Sequence, residues 1–588
     1  MSPPDRRAEW LATGAVGLVA LGVLASVFTP VPHTGGDNAS YLTLGYSLAT
    51  GGGYTELWDP EQLPHTKYPP VFPALLALLT AAGATTWVGF KLLISVTLGA
   101  AVLLVLTWGA ERRGVIAGAA VAILTLLSAG WLDAGRWILS EPLFLVWTFL
   151  ALWAADRGVG RLPPLTLRRA GHRTGELPGV EEGVYSVRWI LLAALAAVLA
   201  FFSRSAGLPL VLALTAVLAL GGKRRDAALL AGGFLLLAGA WGIRSLGGTG
   251  EGAYEAEFWL VNPYQPELGT IGWWELPLRA WTNLRLYAGE ILGGQWWGAT
   301  GEGAAILLGV VLTALALWGW TLRVRLGAGV AEFFVPLYLG LILLWPEAWT
   351  GARFLLPLVP LILLYAGEAL RYAGLTLGNV AATGVVALGV LMLLLPAIPA
   401  WLLLAEGSSD CRRLAEGGDV FACHPETVAE FREGAAWAGM NLPSDAVVLN
   451  RKPSIFFLMG GRPGRIYPFT RDPDAFLAEA DRLGAEYLLF DGIDGISLFY
   501  LPAVLSARPL AFCHIRGWGS AGAAGIGTEL FAILPPSERR TDGEVTGIPA
   551  CPARYRNNPE GEPEMEGLNI PLFVAGAAED YSSSENSP

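Results

Sequence analysis

The sequence predicts a polytopic α-helical membrane protein of about eleven transmembrane helices with a small C-terminal α/β domain, and three observations carry that prediction. The 588 residues are 53% hydrophobic and only 15% charged, with 23 tryptophans and a mean hydropathy of +0.49. A soluble chain of this length shows more charge and shorter apolar runs. Apolar stretches recur through residues 1–404, while beyond 405 charges and turn residues break the apolar runs into short pieces. A net charge of −11, with no Lys/Arg-rich run, gives no reason to expect a nucleic-acid partner. The partner that the composition demands is the lipid bilayer.

Hydropathy and helix breakers place spans near 10–29, 87–109, 114–131, 138–155, 188–202, 206–220, 226–246, 302–322, 329–345, 352–371 and 377–404. Trp10 to Thr29 lacks a small-residue cleavage site and reads as a retained helix. The segment 69–83 is apolar but too short to cross, so it is expected to be juxtamembrane or re-entrant. Charge bias tests the count. With the N-terminus inside, the cytoplasmic connections carry Arg6-Arg7, Arg112-Arg113, the arginines between 157 and 188, Lys223-Arg224-Arg225, Arg323 with Arg325, and Arg371. All are basic, as the positive-inside rule requires. A full span at 69–83 would put the Arg112 pair outside. The eleven-span topology thus places the Asp37 loop, the 247–301 loop and everything after 405 on the extracytoplasmic side. Residues 156–187, with Pro163-Pro164 and several Gly, read as an irregular cytoplasmic loop. Six tryptophans between 259 and 297 read mostly as an interfacial belt.

Residues 405–540 are expected to fold as an α/β domain and 541–588 as a polar, disordered tail. Asp472-Pro473 opens a helix that Gly484 closes, Pro425–Gly439 is helical, and Ala446–Leu449, Tyr487–Phe490 and Phe531–Leu534 are strands. All four cysteines, Cys411, Cys423, Cys513 and Cys551, lie in this region. At least one disulfide is expected, Cys411–Cys423 first, contributing roughly 3 kcal/mol. Zinc is disfavoured because no CxxC spacing occurs.

The chemistry points to the first loop. It opens on Gly35-Gly36-Asp37-Asn38-Ala39-Ser40-Tyr41 and closes on Lys67-Tyr68-Pro69-Pro70-Val71-Phe72-Pro73. An acid at a membrane surface can deprotonate an acceptor beside a lipid-borne donor. Ser40, Thr43, Ser47 and Thr50 form one stripe and Tyr41, Leu44 and Leu48 another, which predicts an amphipathic helix along the interface. Asp37 reads equally well as the N-cap of that helix. Glu141, in Arg136-Trp137-Ile138-Leu139-Ser140-Glu141-Pro142, begins a span. It favours the helix dipole, and as a carboxylate starting a span it calls for a cationic partner, Arg136 or Arg204. Arg204 interrupts an apolar stretch, and Arg353 stands in Gly351-Ala352-Arg353-Phe354-Leu355-Leu356-Pro357. Each cation alone reads as a side chain snorkelling to headgroups. Together, on one face of a nearly charge-free bundle, they read as a phosphate site, with Arg204 and Arg353 foremost and Lys67 and Arg136 behind. Glu56, Asp59, Glu61 and His65 crowd the same loop, but one His with scattered carboxylates reads as a solvated surface rather than a metal centre.

The loop resembles the first extracytoplasmic loop of the GT-C membrane glycosyltransferases, most of all the bacterial relatives of the protein O-mannosyltransferases and the lipid A aminoarabinose transferase. The resemblance spans roughly the first 400 residues. It implies a polyprenyl-phosphate sugar donor, a protein or glycolipid acceptor, and a bacterial inner (cytoplasmic) membrane location. Asp37 takes the place of the family's catalytic aspartate and Glu141 that of its second acidic motif. Arg353 matches the family's Arg-aromatic-Leu-Leu-Pro, and Lys67-Tyr68-Pro69-Pro70 resembles its Lys-Pro-Pro with Tyr68 inserted. The Arg204 counterpart is usually followed by Pro, where this chain has Ser205. Transfer from such a donor needs a base and cations for the departing phosphate, and no cofactor. A lipid-linked sugar transporter or flippase would place ionisable groups near mid-span, and a non-catalytic envelope assembly protein would not need both acids.

Overall fold

Helices dominate the computed structural model, which describes residues 6–84, 86–162, 185–246, 254–417, 420–519, 527–540 and 547–555. Most of the expected 156–187 loop and of the 541–588 tail lies outside the described residues, but tail residues 547–555 are described and bond to His514 through Pro549 and Cys551. The chain begins with α1 (Arg6–Val27), α2 (Gly36–Ala49), α3 (Val71–Ala81), α4 (Trp87–Arg113) and α5 (Val115–Leu127). A short helix, α6 (Ala129–Ala134), leads to α7 (Glu141–Gly158), α8 (Val187–Ser203), α9 (Leu208–Leu220) and α10 (Arg224–Leu246). After α11 (Tyr254–Trp259) and α12 (Leu276–Arg285), a π-helical stretch over Leu286–Gln295 precedes α13 (Glu302–Leu326), α14 (Val330–Leu343), α15 (Val359–Leu375) and α16 (Asn379–Glu416).

Five of these are long and apolar enough to cross a membrane: Arg7–Val27, Trp87–Arg113, Arg224–Ser245, Glu302–Leu326 and Asn379–Glu416. The chain is a multi-pass membrane protein. Shorter apolar helices stand at Val115–Leu127, Val187–Ser203, Ser205–Leu220 and Val330–Leu343, but another, Gly495–Ala507, belongs to the C-terminal domain. Apolar length alone therefore does not count spans. Helix α3 has 11 residues and reaches only about 16 Å, which is short of the hydrocarbon core. The expected 352–371 span begins as helix only at Val359, because Ala352–Leu355 form a 3-10 turn. Helices pack with α4 against α1, α5 and α7, α7 against α8, and α15 against α13 and α16. Small residues permit the closest approaches, as in many membrane bundles: a Cβ on Gly293 would meet the Ala305 carbonyl oxygen at 1.8 Å.

One expectation about the surface is corrected. Helix α2 is not a half-exposed interfacial helix: Asn38 through Gly45 and Ser47 are buried. Two of its hydroxyls are satisfied by nearby residues, with Thr43 Oγ1 donating to the Ala39 carbonyl at 2.8 Å and Ser47 bonded to Thr55 at 3.1 Å. Both faces can then be covered, by α3 and by the C-terminal domain. The contact with α3 is tight: a Cβ on Gly45 would meet Leu76 Cβ at 2.9 Å. Of the six loop tryptophans, Trp259, Trp273, Trp274 and Trp281 are exposed, as a belt of most of them requires, whereas Trp296 and Trp297 are fully buried.

The C-terminal domain follows without a break at 404/405, since α16 continues to Glu416. It comprises α17 (Glu426–Asn441), β1 (Val447–Asn450), α18 (Pro453–Gly460), β2 (Gly464–Ile466), α19 (Pro473–Arg482), β3 (Ala485–Phe490), α20 (Gly495–Ala507), β4 (Phe512–Trp518) and β5 (Thr528–Ile533). Strand order is β2-β1-β3-β5-β4, with β1 parallel to β2 and β3, and β5 antiparallel to β3 and β4. Asp472 caps α19 by accepting from the backbone of Asp474 and Ala475. Along β3, Tyr487 and Leu489 pack to one side while Leu488 and Phe490 pack to the other. The first of these cores is not the domain's own. It runs without interruption through Phe431, Phe456 and Leu530 into Tyr41, Leu44, Trp58 and Phe72 of the first loop. Cys411 pairs with Cys423 as expected, and Cys513 pairs with Cys551.

Candidate active site

Asp37 sits in the first turn of α2, but Gly35 is the N-cap and no side chain caps the helix. The capping role is therefore not the one that Asp37 fills. Its two oxygens go elsewhere. Tyr68 Oη donates to Oδ1 at 2.7 Å, and Arg353 Nη1 donates to Oδ2 at 2.7 Å. Arg353 is placed by the 3-10 turn that follows Gly351. That turn is tied down by Thr350 Oγ1 donating to Asn283 Oδ1 at 2.9 Å, while Asn283 Nδ2 donates to the carbonyls of Leu343 and Trp345.

Glu141 opens α7, with Pro142 behind it, and is 2% exposed. Arg204 Nη1 lies 2.6 Å from its Oε1, and Arg353 Nη1 lies 3.9 Å from the same atom. Arg204 is the extended residue between α8 and a 3-10 turn, Ser205–Gly207, so the helix break aims it at α7. Neither Glu141 oxygen has a hydrogen bond of good geometry among the described residues. The Phe354 ring lies 5.7 Å from the Arg204 guanidinium and 5.4 Å from that of Arg353.

Two further links hold the acids together. Asn38 Oδ1 accepts from the Ile138 backbone at 2.8 Å, and Tyr41 Oη bonds Ser140 Oγ at 3.0 Å, with Arg204 Nη1 at 3.4 Å from the same hydroxyl. Five of the seven residues singled out in the sequence, Asp37, Tyr68, Glu141, Arg204 and Arg353, thus form one cluster. The other two turn to different partners. Lys67 pairs with Glu257 at 3.0 Å over the Trp349 ring, and Arg136 lies over Trp137, 3.8 Å from Asp133. Tyr41 and Ser140 were not singled out. Their signals were present, however, one helical turn after Asp37 and immediately before Glu141.

Electrostatics favours an ionised Asp37. Burial pushes its carboxyl up, but the Arg353 guanidinium and the Tyr68 hydroxyl more than offset this and hold it down at about 2. Two guanidiniums facing two carboxylates make the resting cluster neutral. Arg353 is the more accessible cation, its side chain 45% exposed against 16% for Arg204. The carboxylates of the first loop do not share a centre: Asp59 and Glu61 pair with Arg465, and Glu56 with His65.

No family model matches the chain, and no curated protein sequence does. Among solved structures it is similar to ArnT from Cupriavidus metallidurans bound to undecaprenyl phosphate, at 13% identity and a TM-score of 0.47, over 90% of this chain and 99% of that one. It is also similar to the Archaeoglobus fulgidus oligosaccharyltransferase in its apo form, at 14% identity and a TM-score of 0.47, over 89% of this chain and 74% of that one. A third is arabinofuranosyltransferase AftD from Mycobacteria, at 15% identity and a TM-score of 0.42, over 90% and 42%.

Proposed function

We propose that the protein is an integral-membrane glycosyltransferase of the GT-C kind, moving a sugar from a polyprenyl-phosphate donor to an extracytoplasmic protein or glycolipid acceptor. One observation carries this reading: two carboxylates and two guanidiniums from four separate segments meet at one end of a helical bundle, with Arg353 reaching both acids. That is a base beside a cationic cradle, which transfer from a sugar phosphate requires. The eleven-span topology, with this end and the C-terminal domain outside a bacterial inner membrane, belongs to the same proposal.

In this mechanism the acceptor oxygen or nitrogen attacks the anomeric carbon from the face opposite the phosphate. The bond from that carbon to the phosphate oxygen breaks, its electron pair leaves with polyprenyl phosphate, and Asp37 takes the acceptor proton. The product carries inverted configuration. Glu141 orients the acceptor or the neighbourhood of Asp37. A carboxyl held at about 2 is a poor base, so the Arg353 pair has a function of its own. An arriving phosphate competes for Arg353, the accessible cation. As Arg353 turns to the phosphate, Asp37 loses its strongest stabilising charge and gains basicity. Donor binding thereby arms the base.

The test uses purified protein in nanodiscs with polyprenyl-phosphate sugars, measuring release of polyprenyl phosphate when envelope acceptors are added. Acceptor-dependent release that disappears in Asp37→Asn supports the reading. Equal release by the folded Asp37→Asn protein overturns it.

A further inference from the structure

The cluster leaves unused a second constellation, buried behind Tyr68. Residues 54–65 fold back on themselves, with Thr55 bridging Pro64, the Glu56 amide bonded to the Leu63 carbonyl at 2.8 Å, and the His65 amide to that of Tyr54 at 3.0 Å. Inside the fold lie His65 and Glu56, 3% and 6% exposed. The hydrogen bonds settle the imidazole tautomer. His65 Nε2 is 2.8 Å from the Tyr68 backbone nitrogen, and a backbone N–H can only donate, so Nε2 is the unprotonated acceptor. Nδ1 then carries the proton and donates to Glu56 Oε1 at 2.7 Å.

Three contacts around this pair fall on Tyr68, counting the His65 Nε2 bond to its amide. Tyr54 Oη donates to the Tyr68 carbonyl at 2.8 Å, and the His65 ring lies 5.0 Å from the Tyr68 ring. From α10, Arg244 donates to the carbonyls of His65 at 2.6 Å and Tyr54 at 2.9 Å. The Tyr68 backbone is thus held at both its N–H and its C=O, and its hydroxyl ends on Asp37. A histidine that merely fills a core needs any partner for each nitrogen. Here one nitrogen fixes the residue that touches the reactive carboxylate, and the other is fixed by a buried acid that packing alone does not require.

We propose that Glu56 and His65 form a positioning dyad that fixes Tyr68 and, through it, the orientation of Asp37; the proposal rests on Asp37 being the base. The charged groups facing the dyad agree with it. Burial pushes the imidazole down, and Lys67 and Arg244 push the same way, so Nε2 stays an acceptor at physiological pH. Burial raises Glu56, Asp59 adds to that, and Lys67 opposes it. Protonating His65 would set N–H against N–H at Tyr68 and break the link.

His65→Phe keeps a ring but removes the acceptor, whereas His65→Gln restores an acceptor near the Nε2 position. With a bond to a charged group at stake, His65→Phe should lower kcat about 10–100-fold with donor KM unchanged, and His65→Gln should recover most of the loss. In a Tyr68→Phe background, His65→Phe should cost nothing further. Hydrogen exchange at the Tyr68 amide, read by mass spectrometry, should speed up in His65→Phe and stay protected in His65→Gln. Full additivity with Tyr68→Phe, or unchanged kcat and exchange in His65→Phe, overturns the dyad. Exchange behaving as expected while Asp37→Asn still transfers normally would leave the dyad standing and sink the base instead.

Discussion

At the C-terminal end of α7, Asp156 accepts two bonds from Arg112, which also donates to Glu332 at 2.7 Å. Glu332 accepts in addition from Tyr365 at 3.0 Å and from the Gly329 backbone at 2.7 Å. At the N-terminal end of the same helix, about 22 Å away by the helical rise, Glu141 has one close cation and no hydrogen bond to either oxygen among the described residues, and Arg353 stands half exposed. The two clusters use the same residue types in the same bundle. One is saturated and closed, as a buried ionic group must be to avoid a net cost. The other is open, with a guanidinium that a visitor can reach. Saturation, rather than the presence of buried charge, separates scaffold from site.

The comparison can be broken most sharply at Asp37. Asp37→Asn should lower transfer about 10²–10⁴-fold in a nanodisc assay and, because its pair with Arg353 is partly exposed, lower the unfolding midpoint only slightly. At the closed cluster the pattern should invert. Glu332→Gln breaks a buried pair and should destabilise by about 3–5 kcal/mol, seen as a lowered unfolding midpoint, with kcat per folded molecule preserved. If both variants lose activity and stability alike, the distinction between the clusters fails.

A finer test uses pH. Asp37 is depressed, so its pairing contributes stability above the ordinary carboxylate range, and this is lost as pH falls toward about 2. The acid limb of kcat/KM, which reports the free enzyme, should therefore lie far below neutrality. The limb of kcat, which reports the donor complex, should lie higher, because Arg353 has moved to the phosphate. Arg353→Gln should raise the free-enzyme limb toward about 4 and weaken donor binding. Coincident limbs in the unaltered protein would refute the exchange. The smallest effect belongs to Tyr68→Phe. Losing one bond to a charged carboxylate should cost about 1.5–3 kcal/mol in kcat/KM, with donor affinity retained.

Much of this was legible in the sequence because the bilayer simplifies it. In a nearly charge-free bundle each charge stands out, so Asp37, Glu141, Arg204 and Arg353 announce themselves, and the Pro and Gly beside them mark the breaks that aim them. Local patterns also marked α19 and three of the five strands. What did not show was burial by distant chain. Helix α2 reads as amphipathic because its hydroxyls alternate with apolar residues, and nothing local says that the C-terminal domain will cover it. Strands β2 and β4 were missed because Gly464-Arg465-Ile466 is too short and Phe512–Trp518 carries Cys, His, Arg and Gly in its middle. Lys67 and Arg136 look like cradle cations in sequence, and nothing local says that they pair with Glu257 and Asp133 instead of with the two acids.

The apolar core that runs from α17 and α18 into the first loop has a practical meaning for anyone who would divide this chain. Ser454 Oγ donates to the Gly36 carbonyl at 3.2 Å, the Gly464 amide to that of Trp58 at 2.8 Å, and Arg412 to that of Phe28 at 2.6 Å. A cut after residue 404 would pass through the middle of α16 and strip the lid from the helix that bears Asp37. The C-terminal domain is the back wall of the first loop, and any piece of this chain that keeps this core extends at least through β5.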